Sequence, residues 1–452
     1  MSAIVISKSL SLCEDFDVVV AGGGPAGCAA AVAAAREGAK TLLLEATGAL
    51  GGMGTGGLVP AWCPFSDKEK LVYRGLAATV FHQAKAASPH ISPEDTDWVP
   101  IDPEALKRVY DSLAQKYGVT VLFNTSLCGV QTDNIHVTAA LTASKEGLKA
   151  YRAPVYVDCS GDADLAVWAG AEFAAGDEKS GELMPGSLCF SLANVDMYAY
   201  LYDRKNGQKT GGLHPLNKNS SVYDMAKDEK YPLIQDTHLC SNIIGPGMVG
   251  FNAGHIWNVD NSKPQTVSEA MMEGRRMAEE FRAALAEYFP AAFGNAFLAA
   301  TAPLMGIREG RRIVGDARLT IDDYIARRSF EDGISRNCYY IDLHRSRAES
   351  QERAAGKPAA NNGGMRYGKG ESHGIPYRCL IPKGVDNVLV AGRSVSCDRQ
   401  LQASVRVMPN CLCMGEAAGI AAATAAALHG GRVREVDIVR LRERLTEEGA
   451  YL

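Results

Sequence analysis

Residues 17–45 read DVVVAGGGPAGCAAAVAAAREGAKTLLLE, and the fold turns on this stretch. DVVVA at 17–21 is a short unbroken apolar run stopped by glycines, as expected of a strand buried on both faces of a parallel sheet. Residues 25–37 are alanine-rich and predict a helix; KTLLLE at 40–45 predicts the next strand. GGGPAG at 22–27 lies between them, with Gly22, Gly24 and Gly27 on the G-x-G-x-x-G spacing. Gly22 permits the tight turn, Gly24 lets the backbone approach a pyrophosphate, and Gly27 lets helix and strand pack closely. Pro25 and Ala26 open a helix whose free N–H groups and positive dipole end suit phosphate. Glu45 ends the second strand, 45 − 22 = 23 residues after the first glycine, and Ala46 follows it. A carboxylate there accepts from the ribose hydroxyls of an adenosine and disfavours a 2′-phosphate. The reading is a dinucleotide site.

The flanking sequence extends this unit. GALGGMGTGGL at 48–58 is too glycine-rich for a helix; it predicts an extended loop, with Gly51, Gly52, Met53 and Gly54 lining a pyrophosphate and a ring system. Asp102-Pro103 predicts a capped helix start and Gly118 its end, followed by a strand at 119–123. Short alternating runs from 127 to 159 predict an antiparallel meander, with Leu127 at its start beside the cofactor. DCSGDADLAVWAGAE at 158–172 predicts a strand, a turn at Gly161-Asp162 and a helix. Between 186 and 345 the dinucleotide pattern is absent, and a substrate domain is expected, with a capping box at Thr266 and Glu269 opening a long helix to 288. Residues 346–369 read as a linker or a lid, and 387–428 returns to strand, glycine turn and long helix. The expected fold is therefore α/β: a Rossmann-type cofactor domain from 1–185 and 370–452, discontinuous, with an inserted α+β substrate domain. GPGMVG at 245–250 repeats the glycine spacing, but no helix start follows it, so no second nucleotide site is expected.

Composition narrows the function. The chain has 452 residues and a formal net charge of −5, which argues against a nucleic-acid binder. Glycine makes up 46 residues, about one in ten against an average near 7%. The 12 cysteines form no Cys-x-x-Cys pair, so zinc ribbons and iron–sulfur runs are not expected and no metal is implied. No apolar run reaches 18 residues, and no secretory leader is evident, so a cytoplasmic protein without a membrane role is expected. Residues 1–14 have no clear role.

The later motifs carry a family resemblance. GIREGRRIVGD (306–316), IDLH (341–344), GIPYRCLIP (374–382) and VLVAGRSVSCD…ASVRVMPNCLCMGEAAGIAA (388–422), with the glycine loops, resemble the FAD-dependent oxidoreductase family that has the glutathione-reductase-type FAD fold. The match runs in order over nearly the whole chain. The resemblance implies FAD held also by Gly161, Asp162, Gly392 and Arg393, and by a helix N-terminus near Pro409 and Asn410 that favours the anion of reduced flavin. Residues 46–60 contain no histidine, so the FAD is expected to be non-covalent.

On the substrate side, Arg308, Arg311, Arg312, Arg378, Arg393 and Arg406 form a cluster in the family-like segments. Each has two readings, a structural ion pair (for instance Arg308 or Arg312 with Glu309 or Asp316) or a bidentate clamp for a carboxylate or another polar group. His255 and His344 are the first candidates for acid or base, then Tyr377, with His373 nearby. Cys63 has no partner at disulfide-reductase spacing, and Cys411 and Cys413 read as packing residues. The function expected is hydride transfer between a small polar organic substrate and FAD, with an unidentified electron donor or acceptor. One alternative is an NAD(P)H-fed reductase or hydroxylase; another is a non-enzymatic escort protein on the same fold. Oligomeric state is open, a homodimer being the first assumption.

Overall fold

A computed structural model describes residues 9–202, 213–215, 217, 219–345, 347 and 366–452. β1 (Ser11–Cys13) is followed by β2 (Val18–Ala21), α1 (Pro25–Arg36) and β3 (Thr41–Leu44). Every residue of β2 and β3 is buried, as a central parallel sheet requires. Next come α2 (Leu76–Ala86), α3 (Pro103–Lys116) and β4 (Thr120–Leu122). Asp102 caps α3, its Oδ1 accepting from the N–H groups of Glu104 (2.9 Å) and Ala105 (3.1 Å), with Pro103 at the first helical position. β5 (Ser126–Asp133), β6 (His136–Ser144) and β7 (Gly147–Tyr151) form the expected antiparallel meander, and β8 (Val155–Asp158) joins the central sheet.

That sheet has the order Val388–Val390, β8, β2, β3, β4, all parallel. In its register Ala21 lies opposite both Leu44 and Asp158, and Asp158 opposite Val390. The loops that follow these residues therefore leave one end of the sheet together, where open α/β folds bind their ligands.

The helix Met408–Leu428 packs on α1 through small residues. A Cβ on Gly415 would stand 2.1 Å from the Ala26 carbonyl oxygen, and one on Gly419 2.2 Å from that of Ala30. This helix is long and apolar enough to cross a membrane, but its apolar window is 78% buried inside the fold, which marks a core helix.

α4 (Asp164–Trp168) and β9 (Phe173–Ala175) lead to a second sheet of β10 (Phe190–Ala193), β11 (Leu239–Gly245), β12 (Met248–Ala253) and β13 (Phe297–Thr301), antiparallel in the order β11-β12-β10-β13. Its two faces differ residue by residue. Leu188, Phe190, Leu192, Leu239, Val249 and Phe251 face a second core with Met277 and Phe281 of the helix Pro264–Tyr288. Ser187, Cys189, His238, Cys240, Asn242 and Asn252 alternate with them and line a large cavity.

Three expectations need correction. Residues 11–13, read as an unassigned leader, pair in parallel with β7. The long helix begins at Pro264, not at a Thr266 capping box, because Lys263 is the N-cap and the Thr266 hydroxyl bonds the carbonyls of Asp260 and Lys263. The chain leaves the second core after Ile307, earlier than 345: Ile313, Leu319, Tyr324 and Ile334 pack in the cores around the parallel sheet. Residues 333–337 pair with His373–Pro376 for the same reason. GPGMVG closes the β11–β12 hairpin, with Gly247 at φ 71°. The proposed linker or lid at 346–369 lies mostly outside the described residues.

Candidate functional site

The loops after β2, β3, β8 and Val388–Val390 open into a cavity of about 1220 Å³ that continues under the polar face of the second sheet. Pockets for single small ligands run to roughly 300–1,000 Å³, so this space is larger than one such ligand needs. Gly22, Gly24, Pro25, Ala26, Glu45, Ala46, Gly52 and Met53 line one end, with Leu127. Gly22 has φ 96°, and a Cβ there would meet the Cys159 carbonyl oxygen at 2.5 Å; one on Gly27 would stand 1.7 Å from the Gly22 oxygen. A Cβ on Gly24 would meet nothing within 4 Å, so its backbone is open to the cavity. Glu45 accepts from the N–H of Gly23 (2.8 Å) and of Thr47 (2.7 Å), one bond on each oxygen. A second lone pair on each oxygen is left for ribose hydroxyls.

The middle of the cavity is set by Gly161, Gly392 and Arg393. Arg393 ion-pairs with Asp162 at 2.9 Å, and Asn261 also donates to that carboxylate. Asp162 Oδ1 and Arg393 Nε are buried without a partner. A glycine cradle open to the cavity and the orphaned Arg393 Nε beside it fit the extended dinucleotide implied by the sequence.

Some expected contacts are not made. Asp162 points at Arg393 and Asn261 and does not line the cavity. Gly51 packs against Thr55 of the loop and Tyr110 of α3, and Gly54 against Leu106 of α3, so they shape the cradle from behind. Pro409 and Asn410 lie just inside the helix and do not line the cavity; Val407 and Met408, immediately before them, do, and the Asn410 amide donates to the Val405 carbonyl (2.8 Å). Tyr377 is in the first core, 1% exposed, with its hydroxyl donating to the Val433 carbonyl (2.8 Å), too deep to act on a substrate. His373 is buried as well and bonds to the Tyr367 hydroxyl.

At the other end the structure brings His255, His344 and Arg308 together. His255 Nδ1 lies 2.6 Å from Asp236 Oδ2, and its Nε2 lies 2.7 Å from His344 Nδ1. His344 Nε2 lies 3.3 Å from Asp342 Oδ2, which also takes Arg406 Nη2 at 3.3 Å. His238 stacks on His255, ring centroids 4.2 Å apart. His344 and His238 line the cavity, while His255 stands behind them.

Charge follows from this packing. Burial pushes His344 down to about 3, with Arg308 adding to the effect, and lowers His255 and His238 too. Burial opposes ionisation of Asp236, but the His255 hydrogen bond holds it below the usual carboxylate range. Asp342 is likewise held low, against its burial, by His344, Arg406 and Arg308.

Arg308 is 7% exposed and lowered by burial to about 10. Its Nη1 donates to the Pro185 carbonyl (2.9 Å) and Ser187 Oγ (3.0 Å), and its Nη2 reaches Asn252 Oδ1 (3.3 Å) and His238 Nε2 (3.4 Å). The other arginines have carboxylates: Arg312 pairs with Glu309 (2.5 Å), Arg378 with Asp332 (2.9 Å), and Arg311 with Asp164. Cys63 lines the cavity, and burial pushes its thiol up to about 12, too high for a thiolate at ordinary pH.

The three histidines place ligand nitrogens within 4.8 Å of one another, a spacing open to a metal ion. Against that use, His255 and His344 spend facing nitrogens on one another, and the Arg308 guanidinium stands at His238.

The sequence reading missed His238, Asp236, Asp342 and Asn252. The signal for His238 was the alternation His238, Cys240, Asn242, polar positions on one face of a strand whose other face is apolar.

The model of a family described as FAD dependent oxidoreductase matches residues 17–445. Among solved structures, the chain is similar to a geranylgeranyl bacteriochlorophyll reductase-like protein from Thermoplasma acidophilum, at 13% identity and TM-score 0.45, over 98% of this chain and 85% of that one. It is also similar to an anhydrotetracycline hydroxylase from Streptomyces rimosus, at 13% identity and TM-score 0.42, over 95% of this chain and 65% of the other.

Proposed function

The chain belongs to the FAD dependent oxidoreductase family, and from that premise we propose that it transfers a hydride between a carbon atom of a small polar organic substrate and non-covalent FAD. FAD is its cofactor, and when bound it supplies the two-electron acceptor or donor. The protein supplies position and proton management. The cradle of Gly22, Gly24, Gly52 and Glu45 holds the adenosine end, and Gly161, Gly392 and Arg393 line the middle. The substrate then docks under the polar face of the second sheet, against Asn252, Cys240 and Arg308.

The observation that carries the reading is the Asp236–His255–His344 chain opening on that end of the cavity. Asp236 orients the His255 ring, His255 orients His344, and His344 Nε2 is the atom placed to take or return the substrate's proton. Arg308 holds a polar group of the substrate, so the reacting carbon is fixed while the proton moves. Twelve unpaired cysteines accord with a reducing compartment, and we place the protein in the cytoplasm.

The test begins with the purified protein and its bound flavin. A screen of polar metabolites without oxygen identifies the compound that bleaches the flavin bands. His255→Gln and His344→Gln keep FAD and slow that bleaching by about a hundredfold or more. An unchanged rate in both variants removes the histidines from the mechanism. Acid precipitation releases all of the flavin; flavin retained on the chain contradicts non-covalent binding. Rapid bleaching by NADH or NADPH alone, with no other substrate, favours the reductase alternative.

A further inference from the structure

The line Asp236–His255–His344–Asp342 contains three hydrogen-bonding gaps, of 2.6, 2.7 and 3.3 Å. Each gap needs one proton. Two neutral imidazoles carry one N–H each, so together they fill only two. The Nδ1–H of His255 fills the gap to Asp236, and the Nδ1–H of His344 fills the gap to His255. His344 Nε2 then faces the Asp342 carboxylate lone pair to lone pair, and that gap is the longest of the three. A third proton completes the line.

The surrounding charges count the same way. Arg308 and Arg406 bring two positive charges, and Asp236 and Asp342 bring two negative ones. His238 adds none: its Nδ1 faces the Gly254 carbonyl (3.4 Å) and its Nε2 accepts from Arg308, which keeps it neutral. Cys63, Cys189 and Cys240, on the cavity wall, are all pushed up by burial and stay as thiols. Tyr339 and Tyr340, beside Asp342, are raised too and stay as phenols. Arg347 lies over the Trp257 ring, on the far side of His255, and is exposed. These four charges balance one another, and Arg366, over the Tyr340 ring on the same cavity wall, adds a positive charge that an anion at Arg308 also meets.

Arg308 marks where the negative charge goes. It is a buried guanidinium on the cavity wall, and among the described residues no carboxylate lies within ion-pair distance of it. Its two Nη2 contacts, at 3.3 and 3.4 Å, are long and give way readily to a charged acceptor. Arg406 Nε, on the same wall, is buried and unpartnered.

We propose that the substrate carries a carboxylate, which binds at Arg308, and that the Asp236–His255–His344–Asp342 line takes up one proton as it binds. Anion and proton enter together, so binding adds no net charge to the site. The inference rests on the substrate end assigned under the proposed function. It names the substrate class and gives His344 the proton that it holds during turnover.

The experiment uses the oxidised holoenzyme and inert probes, malonate and acetate, with malonamide and acetamide as uncharged controls. The flavin difference spectrum reads the dissociation constant, and a pH indicator in weak buffer reads the protons taken up. The expected result is one proton per bound carboxylate at neutral pH, the bound anion lifting the line's proton affinity from the depressed value of the free site, His344 at about 3, to above the assay pH. Kd then rises about tenfold for each pH unit, since uptake on binding means that affinity falls as protons become scarce. The amides bind at least about thirtyfold more weakly. Arg308→Gln keeps FAD but loses carboxylate binding by a similar factor, while His344→Gln binds the carboxylate with no proton uptake. Carboxylate binding without proton uptake in the unmodified protein overturns the proposal. So do equal binding of acids and amides, unchanged binding in Arg308→Gln, or no spectral or calorimetric response to either acid at high millimolar concentration. These outcomes are equilibrium readings. They stand apart from the bleaching rates of the histidine variants, so this proposal can fail while the hydride-transfer reading holds.

Discussion

Gly27 shows how tightly single residues are specified around the cofactor cradle. Its Cα faces the Gly22 carbonyl oxygen with no room for a Cβ, which would stand at 1.7 Å. The neighbour is backbone and cannot swing away. Gly27→Ala is expected to cost about 1–3 kcal/mol by overpacking and to weaken FAD retention, read as flavin left after gel filtration and as a lower thermal midpoint. Glu309 is a second such residue. It is 0% exposed and joins Arg312, Arg399 and the Met184 N–H. Glu309→Ala strands the buried Arg312 guanidinium and leaves Arg399 with Asp177 alone, so a loss of about 3–5 kcal/mol is expected in denaturant unfolding, with less for Glu309→Gln. The glycines were legible in the sequence because their spacing is local. The histidine line was only half legible: His255 and His344 stood out beside family-like motifs, but Asp236 and Asp342 have no pattern that marks them, and only the fold brings 236, 255 and 344 together. Tyr377 misled for the complementary reason, since a motif residue that holds a core looks the same on paper as one that meets a substrate.

At the scale of elements, the contact between α1 and Met408–Leu428 joins the two ends of the chain. Gly415 and Gly419 face Ala26 and Ala30, so the helices touch backbone to backbone. Gly419→Leu is expected to force them apart and leave a protein that is poorly soluble and free of flavin, judged by soluble yield and absorbance. Leu428→Gln on the same helix, at a residue 66% exposed, is expected to stay within about 0.5 kcal/mol of the parent. The alanine-rich runs at 25–37 and 417–428 were readable as helices because small residues and glycine stops are local signals. The start of Pro264–Tyr288 was misplaced because its N-cap, Lys263, is not a capping residue type, and the Thr266 hydroxyl is spent on the preceding turn.

For the whole molecule, the buried histidines set the response to acid. His344, His255 and His238 have folded-state values below the ordinary 6.5, His344 at about 3. A group whose value is depressed by folding gives stability that is present above its unfolded value and lost as pH falls through the window toward the folded one. The lowered Asp236 and Asp342 have the same sign at lower pH. The thermal midpoint is therefore expected to fall steadily from about pH 6.5 downward, and His238→Phe to lessen that slope. A flat profile from pH 7 to pH 5 contradicts it. FAD adds its own term: flavin at a thousand times its dissociation constant stabilises by about 4 kcal/mol, so stripped protein melts lower and recovers on adding FAD. The α/β class and the order of motifs were plain from the sequence. The return of 313–334 to the first cores was not, because a change of core leaves no mark on local composition.

The alternation of the second sheet has a consequence for how such a protein diversifies. Positions 187, 189, 238, 240, 242 and 252 face the cavity, and each has at least one neighbour or next neighbour, among Leu188, Phe190, Leu239, Ile243, Phe251 and Ala253, that packs in the second core. A point substitution at any of them rewrites what is recognised and leaves the interior untouched. A one-residue insertion in the same strands exchanges the two faces and spoils both. New substrates are therefore reached by exchange of letters within a fixed length, and the second sheet works as a printing block whose type is reset without recutting the frame.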